Sequence, residues 1–102
     1  MELFSTNEVH PREIKLKGEM GTVYVRKLPA LDLRRFYEET RSDDMDVRLN
    51  AGFRALSKAI RKEDGSPRMT FEEAQRLSLE ATKELTRVFM DVNKADEDPG
   101  ND

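Results

Sequence analysis

Few side chains in this chain could do acid–base or covalent chemistry. Its 102 residues include one histidine, His10, and neither cysteine nor tryptophan. A thiol nucleophile, a thiolate zinc site and a disulfide are thereby excluded. A general base needs an orienting partner and a pocket. His10 stands directly before Pro11 in a stretch without period, so an idle surface imidazole is expected. Asp43, Asp44 and Asp46 cluster where a helix should begin and could in principle hold a divalent cation. The helix dipole favours carboxylates there without any metal, and that reading is preferred. Gly18-Glu19-Met20-Gly21 has the G-x-x-G spacing that clamps nucleic-acid backbone in KH domains. It carries no Lys or Arg and its flanks read as strands, so a hairpin turn is expected. No Walker or Rossmann glycine pattern occurs, and Asp64-Gly65 lacks the spaced carboxylates of an EF-hand. The residues therefore point to a protein that is not an enzyme and has no catalytic, cofactor or metal site.

Charge placement says more. Charged residues make up 38 % of the chain, against about 25 % in an average soluble domain. Residues 1–62 hold 13 basic and 10 acidic side chains, and residues 63–102 hold 5 and 11, so a positive half precedes a negative one. If residues 44–62 are helical, Arg54, Lys58, Arg61 and Lys62 fall at i, i+4, i+7 and i+8 as a basic strip. Glu73, Glu80, Glu84 and Asp91 give the following helix an acidic character. Ordinary solvated helix faces account for both. The functional alternative is a polar protomer whose basic strip meets an acidic surface on a neighbour. Leu79, Phe89 and Met90 cannot all share one helix face with Phe71, and Leu3, Phe4 and Val9 have no obvious internal home. The candidate partner-contact residues are accordingly Arg54, Lys58, Arg61, Lys62, Leu79, Phe89 and Met90.

The elements that must position these residues can be read from period and punctuation. Residues 1–11 read as an irregular arm. Ile14 and Leu16, then Val23 and Val25, alternate with polar residues, predicting a β-hairpin over 12–28 with one apolar face. A lone hairpin is marginal in water, so that face must lie on the helices that follow. Pro29 suits the start of a helix over 30–41. Met45, Leu49, Gly52, Phe53, Leu56 and Ile60 form a single helical stripe over 44–62, on which Gly52 suggests a close helix crossing or is simply tolerated. Glu63-Asp64-Gly65-Ser66-Pro67 is a stop, with Gly65 near the helix C′ position. Thr70-Phe71-Glu72-Glu73 is a capping box opening a last helix that reaches Asn93. Asp96-Glu97-Asp98 and the breakers Pro99 and Gly100 predict a disordered acidic tail over 95–102. The expected fold is mainly α (α+β): a single domain over 1–94, with the hairpin packed on a three-helix unit (30–93). The second and third helices would form an antiparallel pair. No membrane span or signal peptide is indicated, and the modest apolar content, 36 %, argues that the chain completes itself through association.

The order of these pieces resembles a known family. A strand Val23-Tyr24-Val25-Arg26-Lys27-Leu28-Pro29 leads into a helix, and Arg54-Ala55-Leu56-Ser57-Lys58-Ala59-Ile60 follows on the next. Then come Lys62-Glu63-Asp64-Gly65-Ser66-Pro67, Thr70-Phe71-Glu72-Glu73-Ala74, and a last helix with Leu77, Leu85 and Val88-Phe89. Over residues 22–93 this is similar to the small tail assembly chaperones of long-tailed bacteriophages. The resemblance implies a non-catalytic morphogenesis factor acting in the host cell cytoplasm and absent from the mature virion. It would coat the tape-measure protein and keep it soluble while tail-tube subunits polymerise round it. A frameshift-extended form would recruit the tail-tube protein, and copies would associate as a ring or spiral. The alternative is a small helical DNA-binding regulator using the basic strip. Against it stands a pI near 5.3, which lacks the basic footprint of nucleic-acid binders.

Overall fold

Lys17 and Gly18 both take positive φ, 52° and 82°. That pair of left-handed residues is what a two-residue hairpin turn demands. A computed structural model describes residues 6–93 and turns the chain at this dipeptide. It joins strand β1 (Val9–Leu16) to strand β2 (Glu19–Arg26) in a register that sets Leu16 opposite Glu19 and Val9 opposite Arg26. The hairpin is therefore longer than expected. The supposed turn residues Glu19, Met20 and Gly21 lie in β2, and Val9, His10 and Pro11, expected in an irregular arm, lie in β1. Leu3, Phe4 and the acidic tail lie outside the described residues.

Helix α1 (Ala30–Thr40) starts after Pro29, and the Leu33 N–H closes its first turn on the Pro29 carbonyl at 3.0 Å. Helix α2 (Met45–Ala59) starts at Asp44, whose side chain accepts the Asp46 N–H at 2.9 Å. It ends three residues before the expected Lys62. Ile60 and Arg61 leave the helix and form β3, which pairs with Val25 and Tyr24. Burying the β-branched Ile60 beside Val25 outweighs continuing the helix. The loop then closes through Lys62 and Ser66, whose backbones bond at 2.9 Å, so Gly65 (φ +91°) serves that loop rather than a helix C-cap.

The last expected helix is two. Helix α3 (Phe71–Gln75) carries the complete Thr70–Glu73 capping box, and α4 (Leu79–Asn93) begins afresh after Ser78. The Ser78 hydroxyl accepts the Ala81 N–H at 3.1 Å, supplying a second N-cap and ending continuity at Arg76-Leu77-Ser78. Among the described residues the fold is α+β, a three-stranded antiparallel sheet ordered β1-β2-β3 with four helices. About 52 % of the described residues are helical.

Strand pairing places Ile14, Leu16, Val23, Val25 and Ile60 on one face of the sheet. Helix α4 covers that face with its buried row Ala81, Leu85, Val88, Phe89 and Val92. Helix α2 packs on α1, α3 and α4, most extensively on α1. Phe36 of α1 meets Phe89 edge-on, with ring centroids 5.1 Å apart.

Two polar arrangements lock α4 to the hairpin. Along β1, Glu80 accepts the Lys17 N–H at 2.9 Å and Glu84 the Lys15 N–H at 3.0 Å. Arg87 donates to the Glu13 carbonyl at 3.0 Å, and Asp91 pairs with Arg12 at 2.7 Å. Pro11 is tolerated in this strand because its nitrogen shares the parity of Lys15 and faces away from β2. At the far end Asn93, a buried polar residue, accepts the Leu28 N–H through Oδ1 at 2.8 Å. Its Nδ2 donates to the carbonyls of Arg26 (3.3 Å) and Phe89 (3.0 Å).

The bonds from Arg87 and the Lys15 backbone hold the Glu84 carboxyl below its ordinary range. A depressed carboxylate contributes stability that is present above the unfolded-state value and is lost as pH falls through the lower folded one. The Lys15 amide resonance should therefore titrate with a midpoint below that of an ordinary glutamate, and Glu84→Gln should abolish the transition. A midpoint at the ordinary value would remove Glu84 from this role.

Candidate functional site

The structure disperses the basic strip. Only Arg54 and Lys58 lie on α2, and each is held inside the chain: Arg54 by Glu39 at 2.7 Å and Lys58 by Asp32 at 3.0 Å. Arg35 binds the other Glu39 oxygen at 2.9 Å, and its hydrogen bond is the main reason the Glu39 carboxyl sits below its usual range. Arg54 also lies over the Phe71 ring at 5.8 Å, so this cation ties α2 to both α1 and α3. Arg61 is in β3 and Lys62 in the loop beyond it, because α2 has already ended.

The apolar candidates divide likewise. Phe89, expected at a partner contact, is a core residue at 1 % exposure. It lies on the same face of α4 as Ala81, Leu85 and Val92, and Phe36 covers it. Met90 is half-buried against the core, while Leu79 is 70 % exposed. Met45 and Leu49, expected in the buried stripe of α2, are exposed. A Cβ at Gly52 would meet nothing within 4 Å, so no helix crosses closely there. The first half of α2 thus carries an uncovered apolar face that continues the buried one at Leu56.

A groove, rather than a strip, is the concavity with the larger apolar lining to consider. It encloses about 340 Å³ between the hairpin and the α3–α4 corner, within the usual range of ligand pockets. Ile14, Leu16 and Val23 form one wall and Ile60 and Leu85 the base, while Met69, Leu77 and Ala81 close the other side. Arg68 and Glu73 stand on its rim. Glu73 is committed to the Thr70 N–H in the capping box, at 2.9 Å. Among the described residues Arg68 makes no hydrogen bond or ion pair. The groove exists because the chain breaks at Arg76-Leu77-Ser78: α3 and α4 diverge there and leave the hairpin half covered. Sequence reasoning missed Met69, Leu77 and Arg68 as a site. The surplus apolar face of the hairpin was the signal for it.

No protein-family model, curated protein or solved structure matches this chain. Its own geometry is what bears on function. Among the described residues no group of three or more His, Asp or Glu side chains could hold a metal ion. No helix there is long and apolar enough to cross a membrane. Asp44 is occupied as the α2 N-cap, and His10 faces the same side of the sheet as Val25 within β1.

On the sheet's other face, Arg26 and Arg61 come together at the end of α2. Both donate Nε–H to the Lys58 carbonyl, at 2.8 and 3.1 Å. Burial and then the neighbouring Arg61 pull the Arg26 guanidinium below its usual value, with Asp32 opposing.

Proposed function

We propose that this chain is a non-catalytic assembly chaperone of long-tailed bacteriophages that holds apolar segments of the helical tape-measure protein. In that role it works in the host cell cytoplasm, self-associates along its client, and departs before the virion is complete. A frameshift-extended form would bring the tail-tube protein to the same place. The observation that carries this reading is the apolar groove lined at its mouth by Arg68, a cation with no ion pair among the described residues. Such a site takes the apolar stripe of an amphipathic helix and one of its flanking carboxylates. The exposed Met45, Leu49 and Leu79 extend the apolar surface available to client or neighbour. The resemblance over residues 22–93 supports the same class of function. No observation favours the DNA-binding alternative, since its strip is divided among two ion pairs, a strand and a loop.

Co-expression with a tape-measure protein tests this reading. Met69→Glu combined with Leu77→Glu places charge on the groove wall at two half-exposed positions. Losing two apolar contacts of about 1.5–3 kcal/mol each should cut client affinity by roughly a hundredfold or more. The soluble fraction of client should fall accordingly, while the variant's own circular dichroism spectrum stays that of the parent. Undiminished client solubility would exclude the groove as the binding site.

A further inference from the structure

Two surfaces of this chain match each other when they belong to different copies. One is the apolar groove, with Arg68 on its rim. The other is the opening of α2, where Met45 and Leu49 stand one above the other at i and i+4, 61 % and 53 % exposed. About 6 Å separates them along the helix axis. Further along the same stripe, a Cβ at Gly52 would meet nothing within 4 Å, so the face is clear for two turns. Neither Met45 nor Leu49 lines the groove of its own chain. Asp46 flanks this stripe in the first turn of α2. Its N–H goes to the Asp44 side chain, while its carboxylate makes no hydrogen bond or ion pair among the described residues. The helix face is thus an apolar stripe beside an unpaired anion, and the groove an apolar trough beside an unpaired cation.

We propose that the first half of α2 docks in the groove of a second copy, with Asp46 paired to that copy's Arg68. Burial of Met45 and Leu49 supplies the attraction. The ion pair lies at the rim, so it fixes register and makes the contact sensitive to salt. Groove and helix face are different surfaces of one protomer, so the contact is heterologous. Each docked pair keeps one open groove and one open helix face, and copies add head to tail or close as a ring. On the client reading of the groove, on which this last step rests, α2 of a neighbour is a stand-in for the client. It covers the groove of the free protein and is displaced when a client helix arrives, and copies seated on a client meet through surfaces outside the groove.

Sedimentation velocity of the full chain over a range of concentrations tests this. The parent's average sedimentation coefficient should rise with concentration and fall again on adding salt. Leu49→Glu spoils the helix face and Leu77→Glu the groove, so each alone should associate at least about tenfold more weakly. Mixed in equal amounts, the two should form a dimer that grows no further, because one intact groove meets one intact face. Asp46→Lys and Arg68→Glu alter exposed charges and leave the core packing alone. Each should weaken association, and the two reversals combined in one chain should restore it. A parent that stays monomeric at every concentration would overturn the proposal. So would a mixture of the two glutamate variants that does not dimerise, or a double reversal that associates no better than the single ones. Client solubility measured with Leu49→Glu tests the client reading separately, because that variant keeps an intact groove.

Discussion

Phe89→Ala should unfold this protein at moderate temperature. Phe89 is 1 % exposed and packs at the junction of α4 with α1, where its ring meets Phe36 at 77°. Truncating a buried Phe costs about 3–5 kcal/mol through lost transfer energy and the cavity left behind. The edge-to-face pair accounts for about 0.5–1.5 kcal/mol of that interaction. A domain of this size has only about 5–15 kcal/mol in total. Each kcal/mol moves the melting midpoint by roughly 4–8 °C, so a drop of at least about 12 °C is expected by calorimetry. Had Phe89 faced a partner, as its position beside Met90 suggests, the variant would keep its midpoint and lose only binding. An unchanged midpoint would refute its place in the core.

Asn93→Ala should be nearly as damaging for a different reason. The Asn93 amide fills both roles at the end of α4, accepting from Leu28 and donating to Arg26 and Phe89, at 2 % exposure. Removing it leaves the buried Leu28 N–H without an acceptor and the Arg26 carbonyl without this donor. Buried groups stripped of a partner cost about 1–3 kcal/mol each, so a loss of about 2–4 kcal/mol is expected. Denaturant melts measure the total, and hydrogen exchange at the Leu28 amide localises it. That amide should exchange much faster relative to global opening in the variant. Equal protection in both proteins would mean that the Leu28 N–H has another acceptor.

These two residues also show what sequence could and could not reveal. Local grammar was legible. The inner face Ile14, Leu16, Val23 and Val25, the helix start after Pro29, and the Thr70–Glu73 capping box all stand in the structure as read. Each depends on neighbours only a few residues away. What escaped depended on distant partners. Ile60 fits the α2 stripe by period, yet the open pairing sites of β2 draw it into a strand. Leu77 fits a continuous last helix with Ala74 and Ala81, and only the Ser78 cap shows that the helix restarts. Glu80, Glu84 and Asp91 look like a solvated acidic face until β1 lies alongside them. The groove follows from the missed break, which is why no lining of it could be assembled from spacing alone.

The row of side chains from α4 onto β1 has a consequence for how copies of this chain can meet. The free edge of a sheet is ordinarily a template on which another strand can grow, and proteins at high local concentration are prone to stick through it. Here Glu80, Glu84 and Arg87 already occupy the outward Lys17 and Lys15 N–H groups and the Glu13 carbonyl, and Pro11 offers no donor. The opposite edge is a two-residue strand bridged to Pro67. A continuous cross-molecule sheet, with its hydrogen-bonded spine, is therefore disfavoured at both edges among the described residues. Any contact between copies would then fall to side-chain surfaces rather than to backbone pairing.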